Sequence, residues 1–477
     1  MKLISNYKKP ILFLILSVAI LLISRHVGMF WDNVLFGAKI GKHLYREGVF
    51  NWQSIPLNID NGHPPFLGAL LAITWKVFGK SLAVAHWVML PFIFGMFWQL
   101  YSFVDFFIKE KVSKIGAFVL VAADPTLLSQ FVLVNPELIQ LFFFFLALNS
   151  ILRHNFCLKT IGLAFLGLVT YRGMMLCGGL FLIDLVIVLF IKKQRFRDFF
   201  TNTNLLAYLI ALIPASLYII WRLITKGWLI SHPSAIWGHA WEFNTLSDFL
   251  LNFGRNILVL GHQFTDFGRI LLVIFIIATL YIKRKIIVRH NYKCLLIISI
   301  LSTVLIYTTS LIIRNTMGHR YYIASYLSLA LLAFVLIKLY KFKSLIYVGL
   351  LSSLILGNFI VYTDSFAQGW DSSLAHLPYW NLRKKAIKYM DYNNIPISKT
   401  ASFFPNSTEI DNVDLNSDSR SFRGFSGTEN YVFYSNVYNL SDEALEILNH
   451  NYHIIKSFKK NNIRIELMEK VTKQKSK

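Results

Sequence analysis

Several stretches of this chain are too apolar and too poor in charge for a domain that lives in water. Residues 11–23, 180–191, 270–282 and 345–361 contain few or no charged side chains. With their flanks they approach the roughly 20 residues that a hydrocarbon layer about 30 Å thick demands of a helix. In that layer the backbone has no water to bond to, so each segment must close its own hydrogen bonds. Composition agrees. Hydrophobic residues make up 55% and charged residues 15% of the chain, with a mean hydropathy of +0.51. A soluble domain has about a quarter of its residues charged.

The net charge is 48 − 25 = +23. In a soluble protein that excess would suggest nucleic acid. Here the basic residues cluster between apolar runs, so they orient the chain in a membrane and no nucleic-acid partner is expected. The clusters are Lys8 and Lys9; Lys109, Lys111 and Lys114; Arg153 and Lys159; Lys192, Lys193, Arg195 and Arg197; Lys283, Arg284, Lys285 and Arg289; and Lys338, Lys341 and Lys343. Placing all of them in the cytoplasm predicts spans near 10–30, 82–107, 114–133, 137–152, 157–170, 174–191, 204–222, 267–283, 294–313, 321–339 and 344–363. That is about eleven transmembrane helices, with the N-terminus inside and the C-terminus outside. No small-residue cleavage site follows Ile23, so the first run is expected to span rather than be removed. The segment 64–78 is apolar but short and ends in Lys76 and Lys80. It is expected to lie on the outer membrane surface as an amphipathic helix, as is part of 237–259.

After Val361 the composition turns polar. Tyr431 to Tyr434 reads as a strand, and Ser441-Asp-Glu as an N-cap opening a helix through about His450. Two further strands are expected near 454–458 and 463–468. The predicted fold class is therefore an all-α polytopic membrane protein over 1–365, with outer juxtamembrane helices. A small extracytoplasmic α/β domain is expected over 366–477. Cys157, Cys177 and Cys294 lie in or beside apolar segments and fit neither a zinc site nor a disulfide framework.

On this topology, chemically useful groups collect at the outer face. Asp32 follows the first span, and the same loop ends Asp60-Asn61-Gly62-His63-Pro64-Pro65. Asn135-Pro136-Glu137 stands at the outer end of another span, and Arg172 sits at an outer turn. Arg314, His319, Arg320 and Tyr321 surround a later span start. Carboxylates can take a proton from a hydroxyl, and cations can neutralise a departing phosphate. Plainer readings exist for each group. Asp32 would be a solvated loop residue, Glu137 a helix cap, and His63 a chain stop ahead of a helix. Arg172, Arg314 and Arg320 would be anchors to ordinary lipid phosphates. Trp228, Trp237 and Trp241 read as interfacial belt residues. Asp124 and Asp184 are different because they fall inside expected spans, where a carboxylate is costly and needs a partner or a cavity.

In their order and side, these motifs resemble the GT-C fold glycosyltransferases that use polyprenyl-phosphate sugars. That group includes the aminoarabinose transferase of lipid A and the protein O-mannosyltransferases. The matching positions are Asp32, then Gly48 with Trp52, then His63-Pro-Pro-Phe through Phe78-Gly79, then Asn135-Pro-Glu137, and finally Arg320-Tyr321. The resemblance covers roughly residues 10–340. It implies Asp32 as catalytic base, Glu137 in support, and Arg320-Tyr321 on the donor phosphate with Arg172, His319 and His63. It also implies a polyprenyl-phosphate-linked sugar donor, a lipid, glycan or protein acceptor, membrane lipids as partners, and a cytoplasmic (inner) membrane location. No cofactor is demanded, although two carboxylates are compatible with a divalent metal ion. The spacing back from Gly48 is slightly longer than in the aminoarabinose transferases, so strict alignment sets Asn33 opposite the family acid. Asn135 likewise competes with Glu137, and the proline that often follows Arg-Tyr is absent. A lipid-linked glycan flippase is the alternative. It would carry polar groups at mid-membrane and an inverted repeat, and the chain has no evident repeat.

Overall fold

The computed structural model describes residues 2–200, 202–230, 232–234, 242–286, 290–310, 313–314 and 318–471. Trp237, Trp241 and Arg289 lie outside these residues. The fold is a largely helical polytopic membrane protein with a small C-terminal α/β sheet unit. Among the described residues, five helices are long and apolar enough to cross a membrane: Leu82–Phe107, Pro136–Arg153, Tyr171–Ile191, Thr203–Lys226 and His319–Ile337. Two bent pairs raise the number to seven if each counts as one span. At the other expected positions stand Lys2–Ser24 and the shorter helices Phe156–Val169, Tyr292–Thr308 and Lys343–Gly357. The 14 residues of Phe156–Val169 rise only about 21 Å at 1.5 Å per residue.

The outer helices carry their apolar side chains outward. Ile11, Leu12, Ile15, Leu209, Ile213, Leu217 and Ile224 are all exposed. A contiguous face of this kind is unstable in water and natural in lipid. Leu246–Thr265 is built inside-out. It buries Asn252, Asn256 and Gln263 while exposing Leu246, Leu250, Leu251 and Leu258. That pattern suits the amphipathic element expected after residue 237. The helix Phe66–Phe78 packs Leu67, Leu71 and Trp75 inward and, at 13 residues, is too short to span.

Both bent pairs have a physical cause. Lys111–Ala122 and Pro125–Val132 meet at 71°, and Leu246–Thr265 and Arg269–Ile282 at 95°. In the first break Asp124 restarts the helix as its N-cap, accepting from the Thr126 and Leu127 amides at 3.0 and 3.1 Å. In the second, Gly268 has φ of +79° and lies so close to Ser353 that a Cβ would come within 1.9 Å of its carbonyl oxygen. The two breaks are tied together. Arg269 donates through Nε and Nη2 to the two oxygens of Asp124, both at 2.8 Å, and both side chains are buried. Asp184 is also paired, with Lys159 and Tyr208 at 2.8 and 2.9 Å. The carboxylates inside the helical bundle are therefore neutralised by cations of the same chain.

The C-terminal sheet is formed by β1 (Thr400–Ser402), β2 (Arg423–Gly424), β3 (Tyr431–Ser435), β4 (Tyr452–Lys460) and β5 (Ile463–Lys470), in the order β2-β1-β3-β5-β4. Strands β1, β2 and β3 are mutually parallel, and β5 runs antiparallel to β3 and β4. Ser441 caps Asp442–Asn451 by accepting from the Ala444 amide. The sequence did not point to the helix Leu377–Tyr392 or to the two short strands. This unit shares one hydrophobic core with the helices. Phe30 stacks on His376 with ring centroids 5.0 Å apart and meets Trp380 edge-on. The Met29 amide donates to the Val413 carbonyl at 2.9 Å. Lys42 pairs with Glu409 and Asp411, each at 2.8 Å, and Lys80 with Asp411.

Two predictions follow from these ties. Arg269→Ala leaves the Asp124 carboxylate buried without its cation, a change that costs about 3–5 kcal/mol. Thermal unfolding in detergent should show that loss, and Arg269→Ala unfolding with the native protein would contradict it. At Asp411 burial pushes the carboxyl up, but hydrogen bonds from Lys42 and Lys80 more than offset it, so it stays below the ordinary aspartate value of 3.8. Its contribution is complete above that value and is lost as pH falls through the lower folded-state value. Acid should therefore loosen the docked sheet unit, read as protease cleavage after residue 366. Asp411→Asn should weaken docking at neutral pH and flatten that acid dependence.

Candidate active site

Three separate segments converge on one guanidinium. Arg320 lies in the 3₁₀ turn His319–Tyr322 that opens the helix Ile323–Ile337. Its Nη2 donates to Asp32 and its Nη1 to Asp371. Its Nε is 3.2 Å from Oε1 of Glu137, and Nη2 also donates to the Tyr321 hydroxyl at 3.1 Å. The same Glu137 oxygen accepts from Arg172 Nη1 at 3.1 Å, and the Arg172 guanidinium lies 3.5 Å from the centre of the Tyr321 ring. Of the expected site residues, Asp32, Glu137, Arg172, Arg320 and Tyr321 thus stand together.

Local structure explains each placement. Trp31 adopts φ of +48°, a left-handed conformation rare for a bulky residue. The Asp32 carbonyl then starts the helical turn beginning at Val34, accepting from the Leu35 and Phe36 amides at 2.9 Å. Asp32, not Asn33, meets Arg320. At the second acid, Asn135 is the helix cap: its Oδ1 accepts from the Leu138 amide at 2.7 Å, and its Nδ2 donates to the Gln130 and Leu133 carbonyls. With the cap supplied by Asn135, Glu137 in the first turn is available for the two arginines.

Asp371 was not recognised in the sequence. It lies in a 3₁₀ turn, Trp370–Ser372, pinned by Gln130 Nε2 donating to its carbonyl at 2.6 Å and by Thr126 donating to the Ser372 carbonyl at 3.1 Å. It falls in polar sequence beyond the last apolar run, where nothing distinguished it from a loop residue.

Two expected residues lie outside the cluster. His63 packs between Phe36 and Tyr171, and its Nδ1 accepts from the Tyr171 amide at 3.2 Å. Burial, reinforced by Arg172 and Arg222, pushes its pKa down to about 3. It is therefore neutral at physiological pH and acts on the chain next to Arg172 rather than as a cation. His319 faces away from its neighbour Arg320, toward Asp266 at 3.0 Å. Trp228 is not a belt residue: it is buried beneath the Arg222 guanidinium, 4.0 Å away, beside the Arg222–Asp60 pair at 3.0 Å.

The cluster contains three carboxylates and two guanidinium groups. Asp32 keeps 19% of its side chain exposed, against 6% for Glu137 and 9% for Asp371, so it is the most accessible of the three acids. The acids surround the Arg320 guanidinium. An open groove of about 790 Å³ lies elsewhere, between residues 361–365 and the sheet, and none of the cluster's residues lines it. The cluster is the stronger candidate because chemistry needs converging charged groups more than empty volume.

No family model matches the chain, and no curated protein does. Among solved structures, the crystal structure of ArnT from Cupriavidus metallidurans bound to undecaprenyl phosphate is similar to it. The likeness covers 96% of this chain and 97% of that one, with 10% sequence identity and a TM-score of 0.48.

The division of labour between Asn135 and Glu137 can be checked. Asn135→Ala removes the cap and two bonds to buried carbonyls and should cost about 1–2 kcal/mol. Glu137→Gln leaves two buried arginines without their common anion and should cost about 3 kcal/mol or more. Denaturant unfolding of both variants in detergent reads the difference, and equal losses would contradict the assignment.

Proposed function

We propose that this protein is a membrane glycosyltransferase that moves a sugar from a polyprenyl-phosphate donor to an acceptor hydroxyl at the outer membrane surface. The observation that carries the reading is Arg320 gripped by Asp32, Glu137 and Asp371, with Arg172 on the far side of Glu137. Such a site holds both parts the reaction needs. The arginines neutralise a lipid phosphate, and a reachable carboxylate removes a proton.

The ion pairs suggest an order of events. A donor phosphate entering the cluster competes with the carboxylates for Arg320 and Arg172. Asp32, the most exposed partner, is the first to be released. Freed from its cation, it becomes a better base and takes the proton from the acceptor hydroxyl as that oxygen attacks the anomeric carbon. The carbon–phosphate oxygen bond breaks on the opposite face, giving inversion, and the leaving phosphate keeps the electron pair beside the two guanidinium groups. Glu137 remains between the arginines and fixes their spacing. Asp371 holds Arg320 from the side of the sheet unit.

In proteoliposomes supplied with a polyprenyl-phosphate sugar, Asp32→Asn should reduce transfer by about 10² to 10⁴, the range for a lost general base. Donor binding should persist. Arg320→Lys should weaken binding of polyprenyl phosphate itself, because an ammonium cannot reproduce the planar fork. Undiminished transfer by Asp32→Asn would sink the base assignment. Wild-type protein that binds no polyprenyl phosphate would overturn the donor class.

A further inference from the structure

A second cluster lies beside the first and takes no part in the chemistry proposed above. Among the described residues, His262, Asp266 and His319 are the group of three whose ligand atoms converge, all lying within 4.8 Å of one another. His262 and Asp266 are four residues apart at the C-terminal end of Leu246–Thr265, where Asp266 is the cap. His319 comes from the turn directly before Arg320.

The orientation of Asp266 is the informative feature. Its Oδ1 is already occupied, accepting from the Tyr362 hydroxyl and from the Phe267 amide at 2.7 Å. Its Oδ2 is thereby turned toward the two imidazoles. Nε2 of His319 stands 3.0 Å from Oδ2 and Nε2 of His262 stands 3.4 Å from it. Both Oδ2 and the His319 Nε2 are buried and face each other at ion-pair distance. Two imidazole nitrogens and a carboxylate oxygen gathered at these distances form a donor set that one metal ion can share. Four-coordinate zinc with bonds of about 2.0–2.1 Å sets its donor atoms roughly 3.3 Å apart. Imidazole nitrogen with carboxylate oxygen is a zinc-type donor set. The hydrogen bonds to Oδ1 are the outer support that orients a metal-binding carboxylate. His319 is backed by Gly369, packed so closely that a Cβ there would come within 2.8 Å of Nδ1.

We propose that His262, Asp266 and His319 bind one divalent cation of the zinc class, with water completing the coordination at the exposed His262 side. The role is structural. His319 precedes Arg320, while Tyr362 and Gly369 lie on the segment leading to Asp371. One ion therefore fastens the end of Leu246–Thr265 to the turn that carries Arg320, and Tyr362, bonded to the same Asp266, ties in the segment that leads to Asp371.

The test uses the full-length protein in detergent, stripped with a chelator and titrated with Co²⁺ as a spectroscopic probe and with Zn²⁺ as competitor. One equivalent of Co²⁺ should bind with the visible absorption of a low-coordinate site, and Zn²⁺ should displace it. Zn²⁺ should also raise the melting temperature. His262→Ala alters a half-exposed side chain and should still fold, yet lose binding by 100-fold or more. Tyr362→Phe should weaken binding by about 10-fold. Failure of the wild-type protein to take up Co²⁺, or uptake unchanged in His262→Ala, overturns the proposal. Neither result bears on sugar transfer, which is assayed separately.

Discussion

The candidate site depends on one guanidinium that three distant parts of the chain must share. Arg320 reaches Asp32 behind the first helix, Glu137 at the start of a central buried helix, and Asp371 in the unit beyond the last apolar run. Side chains this enclosed cannot lose a partner cheaply, because a charge left alone in a low-dielectric surrounding costs several kcal/mol. The cluster therefore holds three segments in register as well as collecting the groups proposed for the chemistry. It is also a poised arrangement: an incoming anion gains the arginines only by displacing a carboxylate, which leaves that carboxylate free to act.

The same rule operates deeper in the bundle. Asp124 and Asp184 were the residues that made a transport pathway worth considering, since ionisable groups inside spans commonly line one. Each has its cation: Arg269 binds both oxygens of Asp124, and Lys159 binds Asp184. The Asp124–Arg269 pair joins the two broken helices at their bends, where backbone groups left open by the break also need partners. These carboxylates hold elements together, and the proposed chemistry falls instead to the more exposed Asp32 at the helix ends.

Much of the helical layout was legible because the bilayer imposes a length scale and a polarity on the sequence. The runs around residues 82–107, 136–153 and 204–226 are helices, and the short segment 64–78 is a 13-residue helix packed on its neighbours. The breaks at Asp124 and Gly268 were not legible, since an apolar run reads the same whether it is straight or bent by 71° or 95°. The sheet unit was half visible. β3, β4, β5 and the Ser441-capped helix have their own alternation and cap signals, whereas β1 and β2 are strands of three and two residues that exist only by pairing.

The sequence by itself determined the membrane character and the expectation that Asp32, Glu137, Arg172 and Arg320 share one face. These follow from hydropathy, charge clustering and motif order, all local properties. Only the tertiary structure decided which of the neighbouring Asp32 and Asn33, or Asn135 and Glu137, carries the charge in the site. It also brought in Asp371 and sent His319 to a cluster of its own. Those outcomes depend on the direction in which a side chain leaves a turn and on partners tens to hundreds of residues away, and neither is written in any local stretch of chain.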